Sequence, residues 1–205
     1  MRLLLFLANM HHTVLLFTGH LLDSIDRISA RFPYRLISEV RRMIAAEVFR
    51  FRREGTDQVA ISSLAAGSDI LFAEAILETG IPLHIYLPQP PHEFADRSVQ
   101  YAKNHADEDP NEWMTRFGAS IDRAVAMNVV TPAEGMDPYV ACNREMLRRA
   151  LDFSENQERK ILGLAMMEKG SEIKQGGAAD FAREIEAAGI TVRRMWPHRP
   201  HRLFR

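Results

Sequence analysis

The sequence predicts an α/β fold with a mostly parallel, six-stranded sheet that is covered by helices on both faces. Short apolar runs alternate with helical patterns almost to the end of the 205-residue chain, as they do in successive βαβ units. The runs are continuously apolar, which is typical of parallel strands buried on both faces. We therefore expect a doubly wound, Rossmann-like sheet in a single domain at 1–205, with a core at 13–197 and a basic tail at 198–205.

The predicted strands are short apolar segments, most of which end near a glycine or a proline. The first contains Val14-Leu15-Leu16-Phe17 and is closed by Gly19. Together the six strands lie at residues 13–18, 58–63, 83–87, 126–130, 160–166 and 191–196.

The predicted helices repeat apolar residues every three or four positions. The first carries Ile37, Val40, Ile44 and Val48 on one face. The second begins with Ser68 or Asp69 as its N-cap and ends at Gly80. The remaining helices are expected at residues 93–101, 112–123, 140–153 and 179–188, with an exposed loop and an acidic patch at 107–109.

The composition is that of an ordinary globular protein, with 46% hydrophobic and 26% charged residues. A formal net charge of -1 gives no electrostatic reason to expect a nucleic acid or a membrane as partner. Cys142 is the single cysteine, so we expect no internal disulfide and a reducing, cytoplasmic location. The apolar start at 3–7 is too short for a signal peptide or a membrane span. The histidine spacing predicts no metal site.

Glycines and polar residues follow almost every predicted strand. Because parallel strands point the same way, the loops after them share one edge of the sheet, where ligands bind in open α/β folds. No catalytic residue and no certain cofactor can be assigned, but a nucleotide-type ligand fits this edge. The candidate ligand-binding residues are Gly19, His20, Asp23, Ala66, Gly67, Ser68, Asp69, Pro88, Glu93, Thr131, Tyr139, Asn143, Gly176, Gly177 and Asp180.

Two of these loops place glycine directly before a helix, at 66–69 and 176–180. Backbone N–H groups in such a turn, together with the positive end of the helix dipole, favour a phosphate. Neither a G-x-G-x-x-G fingerprint nor a P-loop is present. The two turns are therefore the expected phosphate and ribose contacts, with His20 opposite them.

Several candidates also have a purely structural explanation. Gly19 suits a tight turn, and His20 suits an ordinary loop position. An acid such as Asp69 stabilises a helix N-terminus without any ligand, and Glu93 suits a helix cap or first turn. Tyr139 either stacks on a base or packs in the core.

The order of several short motifs resembles that of the SLOG superfamily, in particular bacterial domains that stand alone or lie beside TPR and nucleotide-cyclase modules. The resemblance covers roughly residues 13 to 197. Its motifs are Phe17-Thr18-Gly19-His20 with Asp23, 63–75, Leu87-Pro88, Glu93-Phe94, Ser98-Val99, Trp113, Arg116-Phe117, Tyr139 with Asn143, and 176–180.

The resemblance implies a Rossmann-like domain that binds ADP-ribose, an NAD-like molecule or another nucleoside phosphate, as a signalling sensor. The superfamily includes ADP-ribose-sensing domains of TRPM channels, the DNA-processing protein DprA and LOG-type phosphoribohydrolases. The LOG enzymes use a P-G-G-x-G-T-x-x-E segment. Here the nearest segment, 176–180, lacks the Gly-Thr, Arg183 stands in place of the glutamate, and Glu184 is one residue off.

Three functions therefore stay open at the level of sequence. The first is a nucleotide sensor, and the second is a hydrolase that cleaves the N-glycosidic bond of a nucleoside monophosphate. The third is an interaction scaffold with a decayed site, whose partner is a second copy of the chain or a signalling protein.

Overall fold

The computed structural model describes residues 12–24, 27–52, 57–100, 111–155, 160–168 and 170–197. Its strands are β1 (His12–Gly19), β2 (Val59–Ser62), β3 (Leu83–Leu87), β4 (Ala126–Val129), β5 (Lys160–Met166) and β6 (Val192–Met195). They form one sheet in the order β4-β3-β2-β1-β5-β6. All five pairings between neighbouring strands are parallel. The predicted Rossmann-like α/β fold is confirmed, and each strand lies within one residue of its expected bounds.

Six α-helices connect these strands in the described part of the chain. They are α1 (Ile37–Phe51), α2 (Ser68–Thr79), α3 (Pro91–Ser98), α4 (Glu112–Arg123), α5 (Pro138–Glu155) and α6 (Ala178–Ala187). Helices α1 and α2 pack together on one face of the sheet with α4 beside α2, while α5 and α6 pack on the other face. The sheet is therefore doubly wound.

Alternate residues of β1 supply the two halves of the core. Leu15 and Phe17 belong to the apolar cluster under α1 and α2, and the Phe17 ring stacks on Phe72 of α2 at 4.2 Å between centroids. Val14 and Leu16 belong to the cluster under α5 and α6. Because both faces are covered, β1 carries no polar side chain between Val14 and Phe17.

The start of α2 differs from the prediction. Neither Ser68 nor Asp69 is the N-cap, because that position belongs to Gly67, whose φ of 106° lies in a region that only glycine adopts easily. The sharp bend at Gly67 makes Ser68 the first helical residue. At the other end, Gly80 is the C-cap, as predicted.

Two further helices have shifted bounds. Helix α3 begins at Pro91, which occupies a favoured first-turn position, and ends at Ser98 rather than at 101. Helix α5 begins at Pro138, two residues before its predicted start, because Asp137 Oδ1 accepts the N–H groups of Tyr139 and Val140 at 2.8 and 3.1 Å. Asp137 is thus an N-terminal cap that the apolar pattern did not reveal.

Several expectations fall on residues outside the described ranges. These are the apolar start at 3–7, the acidic patch at 107–109 and the basic tail at 198–205. Among the helices that the structure describes, none combines the length and the apolar character that crossing a bilayer requires.

The strand order reverses direction at β1. From β1 the chain proceeds outward through β2 and β3 to β4, and then returns through α5 to β5 on the opposite side of β1. The loops after β1 and β5 therefore diverge and leave a crevice at the carboxyl edge, which is where open α/β sheets bind ligands.

Candidate functional site

A cavity of about 80 Å³ opens at this crevice. It lies beside the end of β1 and is bounded by the starts of α2, α5 and α6. Of the residues expected to bind a ligand, those that line the cavity are Gly19, Asp69, Pro88, Tyr139, Asn143, Gly176 and Gly177. The structure thus brings residues from five separate segments to one place.

Asp69 carries the one carboxyl group among the described residues that line the cavity. It lies in the first turn of α2 and is buried, and its Oδ2 accepts the N–H of Ala65 at 3.3 Å. Burial raises the pKa of Asp69 to about 7, and the hydrogen bond from Ala65 offsets only part of this rise. Near neutral pH the carboxyl group can therefore gain or lose a proton.

Tyr139 and Asn143 lie one turn apart on α5, as predicted, and both face the cavity. The Tyr139 hydroxyl forms a hydrogen bond of 3.0 Å with the hydroxyl of Ser98 on α3. Asn143 donates from Nδ2 to the carbonyl oxygen of Gly176 at 3.1 Å. The two side chains thus connect α5 to α3 and to the loop before α6.

The glycine turn before α6 already contains a carboxylate. The N–H of Gly176 donates to Asp180 Oδ2 at 2.9 Å, and the N–H of Gly177 donates to the carbonyl oxygen of Lys174 at 2.8 Å. Asp180 therefore occupies the place on Gly176 that was expected to receive a phosphate. The N–H groups of both glycines thus form hydrogen bonds within the turn and the first turn of α6.

His20 holds the loop that follows β5. Its Nε2 lies 3.0 Å from Ser171 Oγ, and its ring meets the ring of Trp196 edge to face at 5.4 Å. Burial, together with the positive charges of Arg31 and Arg27, lowers the pKa of His20 to about 4. A neutral histidine with these contacts positions the loop and does not line the cavity.

The remaining candidates also lie away from the cavity. Asp23 accepts the N–H of Arg31 at 2.8 Å, and Ser68 donates its hydroxyl to the carbonyl oxygen of His20 at 2.8 Å. Ala66 and Gly67 are buried, and their backbones contact Leu22 and Leu21 in the loop after β1. Glu93 lies in the first turn of α3, and its side chain is 48% exposed. Thr131 is also exposed.

The cavity includes residues that the sequence analysis did not propose. They are Phe17, Thr18, Leu21, Ser63, Ala65, Phe94, Ser98, Cys142, Met146 and Ala178. Thr18 is the polar residue that ends the apolar run of β1, and this position in the sequence could have identified it as a candidate. Cys142 and Met146 are spaced one turn apart on α5, a pattern that by itself indicates only a core-facing stripe. Burial raises the pKa of the Cys142 thiol to about 12.

Glu184, the acid nearest to the position of the LOG glutamate, is not among the residues that line the cavity. Its Oε1 lies 3.8 Å from Nε of Arg144 on α5. Burial and the nearby Asp180 raise the pKa of Glu184. Among the described residues, no group of three or more His, Cys, Asp or Glu side chains is arranged to hold a metal ion.

The arrangement combines one carboxyl group that can gain or lose a proton with uncharged hydrogen-bonding groups in a small cavity. It can bind a small polar fragment and exchange a proton with it. No basic side chain is found among the described residues that line it.

Comparison with solved structures gives matches of low similarity. No family model and no curated protein matches the chain. A crystal structure of DNA processing protein A (DprA) from Streptococcus pneumoniae matches 89% of this chain and 58% of its own, with 12% sequence identity and a TM-score of 0.34. A match of this size says nothing about a ligand or an activity.

Proposed function

We propose that this chain binds a nucleotide-derived ligand at the carboxyl edge of its sheet and acts as a sensor module. The observation that carries the proposal is the convergence of five segments on one cavity at the switch point, where Asp69, Tyr139 and Asn143 meet. Ligand sites of doubly wound sheets occur at this position.

The order of motifs along the chain supports membership in the SLOG superfamily as part of the same proposal. Motif residues from distant segments, such as Thr18, Asp69 and Gly176, line the cavity together. The resemblance thus concerns residues that share a site as well as residues that build the core. ADP-ribose, NAD and adenine mononucleotides are the ligands to test first.

The size of the cavity restricts how such a ligand binds. Pockets that enclose a whole small molecule have volumes of roughly 300–1,000 Å³, whereas this cavity has about 80 Å³. One fragment of the ligand therefore enters, and the remainder lies across the opening near Leu21, which is 37% exposed.

Thermal unfolding in the presence of ADP-ribose, NAD and AMP tests the proposal. A ligand that binds only the folded chain raises Tm further at each higher concentration. We expect this behaviour with at least one of the three, and no comparable rise with inorganic phosphate alone. Isothermal calorimetry then gives the Kd.

Leu21→Trp and Ile28→Trp form a matched pair for locating the site. Both residues are exposed apolar residues after β1, but only Leu21 lines the cavity. Leu21→Trp should weaken binding at least about tenfold, while Ile28→Trp should bind as the unmodified chain does. Equal binding by both variants would place the site elsewhere, and no Tm rise with any nucleotide would refute the proposal. Release of free adenine from AMP would indicate the hydrolase instead.

A further inference from the structure

The cavity contains one ionisable carboxyl group without a neighbouring cation. Asp69 is 9% exposed, and its Oδ1 has no hydrogen-bond partner in the described part of the chain. None of the described residues that line the cavity is Lys, Arg or His. A phosphate placed here would meet the buried carboxyl group of Asp69 with no positive side chain between them, which is unfavourable.

The other polar groups of the cavity are uncharged. Thr18 is 8% exposed, and its hydroxyl forms no hydrogen bond with any described residue. Asn143 uses its Nδ2 on Gly176, so its Oδ1 can accept a further hydrogen bond. The hydroxyls of Ser98 and Tyr139 are bonded to each other, and either can be the donor. Groups that both donate and accept suit hydroxyls better than they suit an anion.

We infer that the cavity receives the vicinal diol of a pentose, whose two hydroxyls donate to the carboxylate of Asp69 while Thr18 contacts one of them. The inference rests on the proposed function, because it names the part of the nucleotide-derived ligand that enters. The position of Asp69 in the first turn of α2 supports its charged form, since a helix N-terminus favours a negative charge. The phosphates of the ligand stay outside the cavity.

Other ionisable groups lie on the elements around Asp69. They include Tyr139, Cys142 and Glu145 on α5, Asp180 and Glu184 on α6, His20 after β1, and Glu93 on α3. Burial raises the pKa of Cys142 to about 12, and burial with nearby arginines lowers that of His20 to about 4. The hydrogen bond from Arg148 lowers the pKa of Glu145. The pKa of Glu184 is raised by burial, so Glu184 serves as the control.

Binding of a diol at Asp69 predicts the direction in which affinity changes with pH. Hydroxyls donate hydrogen bonds and therefore stabilise the carboxylate, so binding lowers the pKa of Asp69 and releases a proton. With the pKa of the free site at about 7, affinity should rise about tenfold between about pH 6 and pH 8. An anion bound against Asp69 needs the protonated acid and gives the opposite slope.

Calorimetry with ADP-ribose across this pH range is the test, because neither of its phosphates titrates there. Measuring in two buffers of different ionisation enthalpy counts the proton released. Asp69→Asn should abolish the pH slope and the proton release, and should weaken binding at least about tenfold at the higher pH. Glu184→Gln should keep both the slope and the affinity. At one pH, 2′-deoxy-AMP should bind at least about tenfold more weakly than AMP, which has the same base and phosphate.

The outcomes separate this inference from the proposed function. If ADP-ribose binds but its affinity falls with rising pH, or if Asp69→Asn keeps the slope of the unmodified chain, the diol inference is refuted while nucleotide binding stands. Equal binding of AMP and 2′-deoxy-AMP would also refute it. If no nucleotide binds at any pH, the proposed function fails, and the inference fails with it.

Discussion

The ring of His20 and the hydroxyl of Ser171 are joined by a hydrogen bond of 3.0 Å that crosses from the end of β1 to the loop after β5. Ser171 Oγ donates its own proton to the carbonyl oxygen of Glu168 at 2.6 Å. The hydroxyl must therefore accept from His20, which fixes the proton of the neutral ring on Nε2. This bond connects the two loops that diverge at the switch point.

Ser171→Ala should destabilise the chain by about 1–2 kcal/mol, because the buried Nε2–H of His20 loses its acceptor. Urea denaturation monitored by tryptophan fluorescence measures the change. Ser38→Ala, at an exposed position of α1, should change the free energy of unfolding by less than about 0.5 kcal/mol. Equal effects of the two substitutions would show that the hydrogen bond contributes nothing.

Asp69→Asn should make the free energy of unfolding rise with pH between about pH 4 and pH 6.5. Folded Asp69 keeps its proton up to a pKa of about 7, while the unfolded side chain loses it near 3.8. Unfolding thus releases a proton from Asp69, and this contribution to stability falls as pH rises. Folded His20 is neutral down to about 4, while the unfolded ring takes up a proton below 6.5. The His20 contribution therefore rises with pH over nearly the same range.

In the unmodified chain these two slopes oppose each other. Removing Asp69 leaves the His20 slope unopposed by Asp69, and this slope is worth on the order of 3 kcal/mol across the range. Urea titrations at several pH values test this expectation. Glu93→Gln, on the exposed face of α3, should retain the profile of the unmodified chain. A flat profile for Asp69→Asn would contradict the assignment.

His20→Gln should produce the opposite profile. Glutamine can still donate to Ser171 but does not titrate, so His20 no longer opposes the Asp69 contribution. The free energy of unfolding should then decrease from about pH 4 to pH 7, by on the order of 3 kcal/mol. The same urea titrations measure it, and a rising profile would be inconsistent with a buried, uncharged His20.

Gly19→Ala should destabilise the chain by about 1–3 kcal/mol, because of crowding at the end of β1. A Cβ at Gly19 would lie 2.5 Å from the Cβ of Ser68, so the start of α2 would have to move. Gly118→Ala is the matched control, since a Cβ there meets nothing within 4 Å. It lies inside α4 and should stabilise the chain by about 0.5–1 kcal/mol. Thermal unfolding of both variants gives the comparison.

The features of this fold that the sequence predicted depend on neighbouring residues. The run Val14-Leu15-Leu16-Phe17 predicted a strand buried on both faces, and Gly80 predicted the end of α2. Local exceptions were harder to predict. Gly67 is the N-cap of α2, and the hydroxyl of Ser68 donates instead to the carbonyl oxygen of His20, which is 48 positions away in the chain.

The sequence predicted only part of the candidate site, because local patterns do not show which distant segments pack together. Position after a strand was enough to propose Gly19, Asp69 and Pro88, which do line the cavity. Position alone could not separate them from Asp23 or Ser68, which also follow strands. The side chains of these two residues form hydrogen bonds with the backbone of the loop after β1. Whether a polar group faces ligand or loop depends on packing between distant segments.

The sequence by itself determined the alternation of strands and helices and the edge of the sheet at which polar residues collect, because periodicity and turn chemistry act over a few residues. Only the tertiary structure decided which of those residues share a cavity and in which charge state. His20 and Ser171 meet across 151 positions of sequence, and burial shifts the pKa values of His20 and Asp69 in opposite directions. Burial is a property of the packed chain, so no local pattern specifies it.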